Sequence, residues 1–153
     1  MNLTPRKLEE LSGIRCEYFT CEFPEGLFGK LLVVVLKGEC GLGCGCYKDC
    51  MFMTAMVRAG YEGFQPDAVI MDLSELKYEW GDEMTGVLMA AQGYYVEAEF
   101  PTTVVVSDKC REGLTSLVRD EMSKDPKQWL FESLPDAIEA AIAKHRNIGK
   151  PSA

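Results

Sequence analysis

Apolar residues along this chain follow two rhythms. The stretch Lys30-Leu-Leu-Val-Val-Val-Leu-Lys37 is an unbroken apolar run between two lysines, the pattern of a strand buried on both faces. Residues 15–23 are rich in aromatics and read as a strand. Pro24-Glu-Gly26 and Gly29 supply turn chemistry between the two, so they pair as an opening hairpin. Residues 38–46 form a loop rich in Gly and Cys. A helix follows over 47–59, with Phe52, Ala55, Met56 and Ala59 at helical spacing and Gly60 as its stop. Pro66-Asp67 leads into a strand over 68–73. A second helix is expected over 82–95, where Met84, Val87, Leu88 and Ala91 make one stripe. A strand over 102–107 comes next, then a third helix over 109–123 with Leu114, Leu117, Val118 and Met122 inward. A short strand over 129–132 precedes Ser133, which caps a last helix over 134–145. Pro135 sits in its first turn and Asp136 near its positive end.

The order β-β-α-β-α-β-α-β-α predicts an α/β fold. Its sheet is mixed and mostly parallel, with four helices packed on it. The organisation is a polar arm over 1–13, one domain over 14–146 and a frayed tail over 147–153.

A formal net charge of −8 argues against nucleic acid and against anionic membranes. It favours partners that bring positive charge. The longest apolar run falls far short of the ~20 residues of a spanning helix. The N-terminus has no apolar core of a signal peptide, so the expectation is a cytoplasmic protein. Seven cysteines in such a setting predict reduced thiols rather than disulfides.

The most telling segment is Asp72-Leu-Ser-Glu-Leu-Lys-Tyr-Glu-Trp-Gly-Asp82-Glu-Met. A strand ends, a polar turn follows, and an acid opens a helix. Such a site can hold a charge or display one to a partner. Asp82 also suits a plain N-cap, and Glu79, Asp82 and Glu83 together suit a solvated turn. Trp80, Tyr78, Tyr94 and Tyr95 surround the second helix as interface anchors or as core. Cys40, Cys44, Cys46 and Cys50 lie close enough in sequence to hold a soft metal or sense redox state, although the spacing is not that of paired zinc knuckles. Of these, Cys44 and Cys46, with Lys48 the only close cation, are the redox candidates. Gly38, Gly41, Gly43 and Gly45 can bring backbone N–H groups to an anion but match no phosphate-loop motif. His145 is the only histidine and is expected to meet the carbonyls ending the last helix.

These patterns resemble the STAS domain, the fold of anti-sigma-factor antagonists and of sulfate-transporter tails. Asp72-Leu-Ser74-x-Leu76 is similar to the family's Asp-Leu-Ser strand end. The helix near Asp82 stands where the family carries an Asp-Ser-Ser-Gly turn. Trp129-Leu-Phe-Glu-Ser133-Leu-Pro-Asp-Ala137-Ile is similar to its final strand and helix. The resemblance covers residues 15–145. It implies a phosphorylatable Ser or Thr at the start of the second helix. Here that position falls on Asp82, preceded by Trp80 and Gly81, so the charge is fixed. A weaker resemblance, to the crotonase and Clp-protease superfamily, rests on the Gly-rich loop and Gly81-Asp82 as oxyanion-hole donors. It implies a small-molecule acyl or thioester binding domain or enzyme, but there is no evident Ser/His pair.

The sequence thus predicts a non-enzymatic regulatory module that binds a protein, or a second copy of itself, and needs no cofactor. Asp82, Trp80, Glu83, Gly81 and Ser74 form the expected partner surface. A metal- or redox-responsive loop over Cys40–Cys50 is the other option.

Overall fold

The computed structural model describes residues 1–93, 98–148 and 150. The expectations placed on Tyr94, Tyr95 and most of the tail lie outside these residues. Strand β1 (Arg15–Glu22) pairs antiparallel with β2 (Lys30–Glu39), from Arg15 opposite Lys37 to Glu22 opposite Lys30. This is the predicted hairpin. Next come β3 (Ala68–Asp72), a two-residue β4 (Leu76–Lys77), β5 (Thr102–Val105) and β6 (Leu130–Phe131). The sheet order is β1-β2-β3-β5-β6, with every pairing after the hairpin parallel. Strand β4 lies off this path and pairs with the end of β2, Gly38 opposite Leu76. It shortens the polar turn expected over 72–82.

The alternation of side chains along β2 divides the core in two. Leu32, Val34 and Leu36 face α1 (Tyr47–Phe64), α2 (Met84–Leu88) and α3 (Arg111–Ser116). Leu31 and Val33 face the other way, against Ala137, Ala141 and Ile142 of α5 (Leu134–Arg146). Each such Leu or Val contributes ~1.5–3 kcal/mol by leaving water, which explains why the strand is apolar at consecutive positions.

Several boundaries differ from the sequence reading. Gly60 does not stop α1, which runs on to Phe64 and ends at Gln65 in the left-handed conformation (φ 48°). Gly60 is there for packing: a Cβ would stand 2.6 Å from Tyr18 Cε1. Helix α2 has five residues instead of the expected span 82–95. Its stripe is nevertheless real, since Met84, Val87, Leu88 and Ala91 are all buried. The chain turns at Gly93 (φ 65°), and the Gln92 amide donates to the Phe100 carbonyl and accepts from Phe100 N–H, at 3.3 and 3.0 Å. The third helix widens after α3 into a π-type turn over Leu117–Glu121. Trp129 is not in a strand; it ends the one-turn α4 (Pro126–Trp129), which Asp125 caps. The cap of α5 is as predicted: Ser133 Oγ accepts from Asp136 N–H at 3.3 Å.

Candidate functional site: an acidic groove beside a sulfur cluster

At the end of β3 the Asp72 carboxylate accepts from Ser74 N–H (3.0 Å) and Ser74 Oγ (2.6 Å), a local turn of the kind Asp favours. The Ser74 carbonyl accepts from Ser107 Oγ at 2.7 Å. Ser74 is thus committed to holding the chain exit and lies outside the groove described next. Beyond β4, Tyr78 is buried. Its N–H donates to the Lys109 carbonyl (3.1 Å) and its hydroxyl to the Gly81 carbonyl (2.9 Å). Burial pushes its phenol pKa up, so it stays a donor. This anchor turns Glu79 and Trp80 outward, Trp80 being 60% exposed, while the buried Gly81 takes φ 146°, which glycine tolerates.

The segment 77–82 forms one wall of an open groove of about 760 Å³, and α3 with its π-type extension forms the other. Two glycines set the fit. Gly113 lets the Glu79 carbonyl approach α3 where a Cβ would collide, and Gly43 lies directly under the Trp80 ring. Glu79, Asp82, Asp108, Glu112, Asp120 and Glu121 line the groove, against Lys77 and Lys109. Asp108 pairs with Arg111 and Asp120 with Arg119, while Lys77 pairs with Glu39. Among the described residues, Glu79, Asp82, Glu112 and Glu121 have no ion-pair partner. The groove therefore carries an uncompensated negative field.

Trp80, Gly81 and Asp82 line this groove together; Glu83 and Ser74 do not. Asp82 precedes α2 by two residues and is exposed, and its carbonyl, not its carboxylate, accepts from Thr85 N–H at 3.0 Å. It is therefore not a side-chain N-cap. Its carboxylate makes no hydrogen bond among the described residues and is free for a partner. The opposite wall, Glu112, Asp120 and Glu121, is not among the expected site residues. The signal is present: these acids flank the inward Leu114, Leu117 and Val118, Glu112 before them and Asp120 and Glu121 after.

The cysteine loop departs from the expectation of reduced thiols. Cys40 and Cys46 are joined as a disulfide. The 3₁₀ turn Gly43–Cys46 folds the chain back on the end of β2, with Cα atoms 5.3 Å apart, within bridging range. Cys50, one turn into α1, places its Sγ 3.2 Å from that of Cys46. Its thiol pKa is pushed up to about 12, first by burial, then by Glu83 and Asp49. Cys44 is exposed and outside this cluster. The loop N–H groups are engaged internally: Gly38 to Glu75, Gly41 to Asp49 Oδ2 and Gly45 to Leu42. Those three glycines offer nothing to an oxyanion, which removes their part in a crotonase-type reading. His145 packs its ring against Phe23, centroids 4.8 Å apart, and its Nδ1 has no hydrogen-bond partner among the described residues. The groove lining contains no histidine.

No family model and no curated protein matches the chain. Its structure is similar to the crystal structure of an anti-sigma factor antagonist from Mycobacterium paratuberculosis, with a TM-score of 0.55 and 19% identity over 85% of this chain and 95% of that one. The fold is STAS-like. The resemblance read from Asp72-Leu-Ser74 and from the final strand and helix is supported at the level of the fold. No described helix is long and apolar enough to cross a membrane.

Proposed function

We propose that this protein is a non-enzymatic regulatory module that receives a basic surface of a protein partner in the groove between residues 77–82 and α3. The observation that carries this reading is the exposed Trp80 set among four acids without ion-pair partners. Trp is enriched at binding hot spots, where a polar rim surrounds the anchor, and the acids speed encounter with a cationic partner. The structurally similar protein is an anti-sigma factor antagonist, and a role of the same kind, acting on another protein, is the one proposed. Asp82 supplies a permanent charge at the position where the switch members of STAS domains carry a phosphorylatable Ser or Thr. On this reading the module is always in one charge state.

The test is co-purification from the native host with immobilised wild type, Asp82→Lys and Trp80→Ala. A partner is expected to be retained by the wild type, with retention falling as salt rises. Trp80→Ala is expected to weaken the complex by ~2 kcal/mol, the scale of a hot-spot truncation, and Asp82→Lys to abolish it at low salt. Identical retention by all three proteins would refute this surface.

A further inference from the structure

We infer that Cys40, Cys46 and Cys50 form a three-thiolate site for one soft d¹⁰ cation, Zn(II) or Cu(I), in the reduced protein. Their sulfurs all lie within 4.8 Å of one another, and all three residues are buried. An ion ~2.3 Å from each sulfur needs sulfurs roughly 4 Å apart, whether trigonal or tetrahedral, so Cys40 and Cys46, bonded in this structure, and Cys46 and Cys50, 3.2 Å apart, must separate on reduction. The cluster is built by three elements: the end of β2, the 3₁₀ turn and the first turn of α1. Thiolate sulfur selects soft cations over Mg(II) or Ca(II). Cys44 takes no part, because its side chain faces solvent.

Loading competes with the disulfide. A small dithiol reduces the Cys40–Cys46 bond, leaving two protein thiols and becoming a disulfide itself. The cation then displaces the three thiol protons to solvent and forms three metal–sulfur bonds. The loop that moves between these states carries Gly43, on which Trp80 rests. The site thus lies beneath the proposed docking surface, although its test is independent of any partner.

The experiment titrates dithiol-reduced, anaerobic full-length protein with Zn(II), Co(II) as its spectroscopic stand-in, and Cu(I), against a chromophoric chelator. The expected result is one tightly held equivalent per chain, with a sulfur-to-cobalt charge-transfer band. Cys44→Ser is expected to bind as the wild type does, and Cys50→Ser at least ~100-fold more weakly. Alkylation mapping of the wild type covers the case in which Cys50→Ser fails to fold: bound metal protects Cys40, Cys46 and Cys50 and leaves Cys44 labelled. The Zn(II) and Cu(I) arms decide which ion the site prefers. Absence of stoichiometric binding by the reduced chain, equal binding by the oxidised chain, or protection of Cys44 would overturn the assignment.

Discussion

Gly113 shows how one residue shapes the groove. It sits within α3, where glycine costs about 1 kcal/mol relative to alanine, yet the Glu79 carbonyl occupies the space a Cβ would need. Gly113→Ala is therefore expected to destabilise the protein by ~1–3 kcal/mol, as overpacking does, despite the gain in helix propensity. Urea denaturation would check this, and a stabilised variant would contradict the close approach. The same segment explains what was legible at this scale. Trp80 and Asp82 stood out as an aromatic and an acid in a polar turn, and both line the groove. Ser74 is near them in sequence only, since its hydroxyl belongs to Asp72 and its carbonyl to Ser107. Hydrogen bonds to a residue 33 positions away leave no local trace.

At the scale of elements, the reliable signals were those with a local cause. Helix α5 begins at Ser133 because its hydroxyl satisfies the Asp136 N–H and donates to the Asp136 carboxylate at 2.6 Å. Ser133→Ala is expected to cost ~1 kcal/mol, measurable as a lower denaturation midpoint, and Ser133→Asp to recover most of it. Helix α1 runs past Gly60 for the opposite reason. A glycine on a helix surface reads as a stop, but this one accepts the Tyr18 ring from β1, a contact between distant parts of the chain. Helix α2 kept its predicted buried stripe and lost its predicted length, because periodicity reports which side faces the core and not where the chain turns away. Strand β4 is too short to carry a pattern of its own.

At the scale of the molecule, α5 is fastened to the sheet by a half-buried cation. Lys144 Nζ donates to the Thr102 carbonyl at 2.7 Å and stands 4.9 Å over the Trp129 ring. Burial pulls its pKa down from 10.5 to about 8. A lowered folded-state pKa means that between these values the unfolded chain holds a proton the folded chain has released. Stability from this group therefore rises with pH across about 8 to 10.5, and its cost is fully present below that window. Thermal scans are expected to show the melting temperature of the wild type gaining on that of Lys144→Met across the window, by the equivalent of about 1 kcal/mol after solvent screening. A constant difference would mean that Lys144 is not desolvated. The apolar runs of the strands, the caps and the order of elements determined the hairpin, the parallel sheet and the two-sided core, because a strand apolar at consecutive positions must be covered on both faces and strands alternating with helices pair in parallel. Only the tertiary structure decided the groove, the Cys40–Cys46 bond and the place of Cys50 beside it. The groove joins residues 77–82 to α3 through packing of the sheet and its helices, and the cysteines, though near in sequence, meet through the course of a 3₁₀ turn that has no apolar period to announce it.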